Sequence, residues 1–194
     1  MNIDKVQEID QIFAKLEECH LVIVDCRAAS TDIFLDYFAE VQVFDILAML
    51  DASLTVVSPV NHEADSVEQV KIIAETLGAR CRYVVVKNQA HSDQFKISDN
   101  SRTRARVIDE LCGRAIVMPR LYDWLVTGLH ETNLCITEAV GHAEFSLVDR
   151  QRLRNWQGKF YEQLEQAREV LLPGSSPKAA TKKRGKSEME IAAP

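Results

Sequence analysis

Glycine is scarce in this chain, with seven among 194 residues, and nowhere do they form G-x-x-x-x-G-K-[ST]. The one Gly-Lys-Ser, Gly185 to Ser187, has Ala180 where the first glycine of that pattern is required, and no strand leads into it. A backbone nest that wraps phosphate is therefore not encoded in these residues. Cysteine is sparse too: Cys19, Cys26, Cys81, Cys112 and Cys135 lie far apart, with no C-x-x-C pair and no histidine at zinc-site spacing. They read as reduced thiols rather than a disulfide or metal framework. His20, His62, His91, His130 and His142 are equally scattered. No G-x-S-x-G elbow or Ser/His/Asp arrangement can be placed, which makes an unrelated α/β enzyme the weaker reading. No apolar run approaches the roughly 18 residues of a membrane span. The opening segment to Glu18 is acid-rich and amphipathic, unlike a secretory leader, so the expected compartment is the cytoplasm.

Charge divides the chain. From Pro173 to Pro194 five basic residues (Lys178, Lys182, Lys183, Arg184, Lys186) face two acidic ones, leaving 18 basic against 27 acidic residues in the body, a net of −9. The division of the chain follows: 1–172 as one α/β domain and 173–194 as a basic tail read as disordered for want of apolar residues to pack. An acidic body does not suit nucleic acid over its whole area, so such contact would need a patch or the tail.

What is present is a rhythm. Leu21–Asp25 (LVIVD), Ser53–Pro59 (SLTVVSP), Tyr83–Asn88 (YVVVKN) and Ala115–Pro119 (AIVMP) recur about every thirty residues. Continuous rather than alternating apolar runs predict strands buried on both faces, in a mainly parallel sheet with helices on both sides. The gaps carry helical periodicity. Ile3 to Leu16 shows one apolar stripe, and Ser30 or Thr31 caps a helix predicted to reach Leu50. Asp65-Ser66 opens a helix that Gly78 stops, and Ser146 to Leu172 forms a long terminal helix across the sheet. Gln89 to Ser101 is a polar stretch of the kind used as a lid or binding loop.

Parallel strands share one carboxyl edge, where such sheets bind ligands, and Asp25, Pro59, Asn88 and Pro119 would meet there. Each admits two readings. Asp25 can hold Mg²⁺ through water, or cap a helix or stay solvated. Asn88 can read a purine edge with its amide, or stabilise a turn. Lys87 and Arg27 suit phosphate, or surface ion pairing; Cys26 lies next to a ligand, or is an inert thiol.

These residues in this order carry a family resemblance. Leu21-Val-Ile-Val-Asp25 resembles the Walker B strand of ParA/MinD-type P-loop ATPases, and Leu50 to Val60 (LDASLTVVSPV) is similar to the strand that follows. Tyr83 to Asn88 resembles the strand ending in the base-contacting asparagine, and Ile116 to Pro119 the strand ending beside the base. Leu134 to Gly141 is similar to the family's late segment, so that the likeness runs from about Leu21 to Leu171. Cys26-Arg-Ala-Ala-Ser30 in place of a proline-rich step makes the chain most similar to the plasmid-stability and conjugation-associated members of the StbB kind. The resemblance implies ATP and Mg²⁺ as cofactors, Asp25 as the metal residue, and Asn88 and Pro119 as nucleotide contacts. It also implies a role in plasmid partition, stability or conjugative transfer, through a homodimer and with DNA or a DNA-bound adaptor as partner.

The missing phosphate loop separates the chain from that family's active members. Either the first strand, phosphate loop, helix and second strand have been lost by truncation, or a shortened homologue has kept the sheet for protein contacts. In both cases ATP hydrolysis by these residues is not expected. The alternative function is a non-catalytic adaptor that binds DNA or a partner ATPase, using Arg102, Arg104, Arg106, Arg114 and the Lys178–Lys186 cluster for phosphate, unless these merely form a solvated face and a solubilising tail.

Overall fold

The computed structural model describes residues 6–27 and 30–173; the basic tail predicted to be disordered lies outside them. Three β-branched segments pair side by side in chain order, all parallel: β1 (Thr55–Val60), β2 (Arg82–Asn88) and β3 (Arg114–Met118). The register sets Val60 opposite Lys87 and Asn88 opposite Met118, so the strand ends are level. Parallel neighbours require crossovers. The first is α4 (Ala64–Leu77), closed by Gly78 at a positive φ of 56°. The second is α5 (Lys96–Asp99) and α6 (Arg102–Arg104), the latter widening into a π-helical turn over Ala105–Glu110.

β2 explains why both sheet faces are covered. Tyr83 and Val85 pack on one side with Val70, Ala74 and Leu77 of α4 and with Val107. Val84 and Val86 pack on the other with Ile116, Ala167, Phe160 and Leu164. That second cover comes from α9 (Leu147–Gln166) and α10 (Arg168–Leu171). Two polar contacts tie this layer down. The Thr55 hydroxyl donates to the Val170 carbonyl (3.0 Å), and the Val117 amide donates to Gln163 Oε1 (3.0 Å), giving one outward backbone group of β3 a partner.

Two smaller clusters flank the sheet. Ile9, Phe34 and Tyr37 join α1 (Val6–Glu18) to α2 (Thr31–Glu40), which is followed by α3 (Val43–Met49). Leu125, Ala139, Phe145 and Leu153 join α7 (Asp123–Thr132) and α8 (Ile136–Ala139) to α9.

Four expectations need correction. Leu21–Asp25 has no regular secondary structure and is not a strand of the sheet. Val24 turns onto the Ile9–Phe34–Tyr37 cluster while Leu21 and Ile23 are 55% and 84% exposed, so the run wets half its apolar side chains. On β1, the Arg82 amide donates to the Leu54 carbonyl (3.0 Å), and by alternation Thr55, Val57 and Pro59 turn their backbone away from β2. Proline is tolerated there because an outward position has no ladder bond to lose, which marks β1 as an edge. The predicted helix to Leu50 breaks into α2 and α3 where Gln42 adopts φ 51°. The predicted terminal helix breaks at Ala167, which is buried against the sheet and starts the short α10. The 89–101 stretch is no open lid: Phe95, its one aromatic, is buried in the core beneath β2, and Ser98 is buried beside it.

Removing a buried side chain should therefore separate core strand from exposed run. Ile116→Ala is expected to cost about 2–4 kcal/mol through the cavity it leaves. Ile23→Ala should stay within about 0.5 kcal/mol of the parent, as surface changes do. Urea unfolding followed by circular dichroism measures both.

Candidate functional site

The carboxyl edge of the sheet is where backbone direction changes and side chains of three strands converge. Its chemistry begins with asparagines. Asn88 ends β2, and its Oδ1 accepts the Ala90 amide (2.9 Å), a local turn that lets the chain leave the sheet. One residue past the Val60–Lys87 pair stands Asn61, a strand-end amide that the sequence reading passed over. Its Oδ1 accepts from the Glu63 amide (2.8 Å) and the Ser66 hydroxyl (3.0 Å), so it forms the bridge between β1 and α4. The legible signal was an Asn four residues before the predicted helix start, with a serine to answer it.

Pro119 follows β3. Its carbonyl accepts the Trp156 indole N–H (2.7 Å), and the neighbouring Met118 carbonyl accepts the Gln89 amide (3.0 Å). Asn88 and Pro119 are thus at adjacent strand ends, as the sequence reading expected, and both are already used to hold the edge together. Lys87 forms an ion pair with Asp99 and lies 5.8 Å over the Phe95 ring. A shallow cleft beside it is lined by Ser98, Ser101 and Arg104 over an apolar floor of Val60, Val85 and Val107.

Asp25 is not brought into this group. It is exposed on the run outside the sheet, and no hydrogen bond or ion pair among the described residues joins it to Asn88 or Pro119. Beside it, desolvation and then the Asp25 charge push the Cys26 thiol up from its ordinary range, although the residue is exposed. Among the described residues no three His, Cys, Asp or Glu side chains gather in a way that could hold a metal ion. The donor set at the edge, two committed amides and a paired lysine, does not by itself fit a Mg²⁺-nucleotide. Two of the four arginines considered for phosphate contact are in ion pairs, Arg104 with Asp109 (3.3 Å) and Arg106 with Glu110 (2.5 Å), and Arg114 donates to the Gly113 carbonyl (3.3 Å).

A second polar and aromatic cluster, absent from the sequence reading, lies where α7 meets the start of α9. Tyr122 and Trp124 stack at 4.4 Å and 19°, with the Arg152 guanidinium 5.7 and 5.6 Å from their rings. Asp149 organises it, accepting from the Ser146 hydroxyl (2.7 Å), Arg152 (3.0 Å) and the Trp124 indole N–H (3.5 Å). The Ser146 bond, then those from Arg152 and Trp124, hold the Asp149 carboxyl below the usual aspartate range. Comparison with family models, with curated proteins and with solved structures returns no match to this chain.

A carboxyl whose folded-state pKa is depressed adds stability above its ordinary pKa and loses it as pH falls through the folded value. Ser146→Ala should raise the Asp149 pKa toward the ordinary aspartate range, measured by carboxyl ¹³C NMR against pH. The same change removes a helix cap and should cost about 1 kcal/mol at neutral pH.

Proposed function

We propose that this chain is a homologue of the ParA/MinD-type ATPases that serves plasmid partition, stability or conjugative transfer through protein contacts, without hydrolysing ATP itself. The observation that carries this reading is the parallel, in-order pairing of LTVVSPV, YVVVKN and AIVMP, with Asn88 level with the residue before Pro119. That arrangement suits three of the four strand motifs on which the resemblance rests, the Leu21–Asp25 run lying outside the sheet.

Support for a non-catalytic role comes from the residues that phosphate chemistry would need. No glycine-rich loop occurs in the sequence, and Lys87 is committed to Asp99. ATP and Mg²⁺ are the cofactors of the family this chain resembles, but with Asp25 outside the sheet and apart from Asn88 and Pro119 the proposal gives them no working site in these residues. A complete site in this reading requires a phosphate-binding segment supplied from elsewhere. Its partner is accordingly another ATPase or a DNA-bound adaptor.

Purified chain incubated with Mg²⁺ and ATP should release no phosphate above the protein-free rate, and Asp25→Ala should leave that result unchanged. Mg²⁺-dependent turnover abolished by Asp25→Ala would refute the non-catalytic reading. Deleting the gene should raise the loss rate of the plasmid that carries it, with Asp25→Ala complementing as well as the parent; an unchanged loss rate would count against the plasmid role.

A further inference from the structure

A cleft of about 240 Å³ opens where α2 breaks into α3 and meets the end of α4. Leu35 and Phe38 of α2, Val43 and Phe44 of α3 and Leu77 of α4 supply its apolar walls. The break at Gln42 makes the space. Its left-handed backbone (φ 51°) is disfavoured for a residue with a Cβ, and it keeps α3 from continuing the line of α2. Local strain of this kind is retained where the surrounding structure enforces it, and it gathers at binding sites. An apolar cavity of about 150 Å³ takes benzene, so this cleft has room for one aromatic or branched aliphatic group and a short polar end.

Two opposite charges line the same cleft without meeting. No ion pair joins Arg80 to Asp45, and neither forms one with any other side chain among the described residues. Arg80 is nonetheless held in place. Its Nε donates to the Leu77 carbonyl (3.2 Å) and its Nη2 to the Thr76 carbonyl (2.8 Å), while the guanidinium lies 4.6 Å over the Phe44 ring. Nη1 has no acceptor among the described residues, and it belongs to a group with little rotamer freedom left to lose on binding. The Asp45 amide donates to the Gln42 carbonyl (2.9 Å), which fixes where that residue stands. Its carboxylate is exposed and accepts no hydrogen bond among the described residues.

We propose that this cleft binds a free amino acid with a large apolar side chain, its carboxylate on Arg80 Nη1, its ammonium on Asp45 and its side chain against the apolar walls. Opposite charges that share one apolar cleft without pairing suit a molecule carrying both signs over a short span. A simple carboxylic acid would meet Asp45 uncompensated, and a simple amine would meet Arg80 in the same way. The walls add a size requirement, because a ligand without an apolar group gains nothing from leaving water there. The site is built from α2, α3, the end of α4 and the turn after it. It uses no residue of the carboxyl edge, and it stands or falls independently of the plasmid role.

The test is a titration of the ¹⁵N-labelled full chain followed by amide NMR, with L-phenylalanine as probe beside hydrocinnamate, phenethylamine and glycine. L-phenylalanine should shift amides at Gln42 to Asp45 and at Thr76 to Arg80. It should bind about fivefold more tightly than hydrocinnamate or phenethylamine, the upper end for one exposed ion pair, and glycine should shift nothing. In Arg80→Gln, L-phenylalanine should bind no better than phenethylamine; in Asp45→Asn, no better than hydrocinnamate. Ala39→Trp, at an exposed position on the wall, should fill the cleft and abolish binding, with circular dichroism melts confirming that each variant is folded. No shift with L-phenylalanine, shifts centred away from the cleft, a single-charge analogue that binds as tightly, or an Arg80→Gln chain that keeps the full preference would each overturn the proposal.

Discussion

The central strand has no face to give to water. Val84 and Val86 on one side and Tyr83 and Val85 on the other are all buried, and β2 is hydrogen-bonded along both edges. At about 25 cal/mol per Å² of apolar surface removed from water, leaving either side bare would forfeit several kilocalories per mole. Two independent layers must therefore come to the sheet. The crossover helix α4 and the π-helical turn supply one of them as a consequence of parallel pairing. The other comes from α9 and α10, which begin about thirty residues beyond β3 in sequence, and the Thr55–Val170 and Val117–Gln163 contacts settle where they land.

Satisfying the strand ends has shaped the chemistry of the carboxyl edge. Each place where the backbone leaves the sheet exposes polar groups that need partners. Asn61, Asn88 and the Pro119 carbonyl are used for this, by Glu63 and Ser66, by Ala90 and by Trp156. An amide that completes a turn has less capacity left to read a ligand. Lys87, close to the same edge, is neutralised by Asp99 from the folded 89–101 segment. The edge is thereby a well-fastened structural margin, and the exposed, preorganised groups lie elsewhere, on the α7–α9 corner. This contrast is why the functional reading rests on contacts with other macromolecules.

Charge reinforces it. The domain could have interspersed its acids with lysines along α2, gaining a few tenths of a kilocalorie per mole from each i,i+4 pair. Instead Asp32, Asp36 and Glu40 repel one another while the surface arginines gather on α6 and α9.

Much of the architecture was legible in local pattern. Three of the four apolar runs are the three strands, because short runs rich in β-branched residues and bounded by polar ones suit a pleated, at least half-buried segment. Gly78 ends α4 as expected, since a positive φ is open to a residue without Cβ. Asn88 and Pro119 lie at adjacent strand ends, which follows from parallel pairing alone. The fourth run, Leu21–Asp25, has the same local pattern and a different outcome. Whether an apolar segment joins a sheet depends on a neighbouring edge with backbone groups to offer, and on which surface its side chains find first; Val24 finds Phe34 and Tyr37. The breaks at Gln42 and Ala167, the burial of Phe95 and the stacking of Tyr122 with Trp124 under Arg152 are of the same kind. Composition, period and capping residues determined the element types and the parallel order, because these depend on neighbours a few residues away. The unpaired run, the committed edge and the Tyr122–Trp124–Arg152 stack were decided only in three dimensions, because each depends on groups that folding brings together from distant parts of the chain.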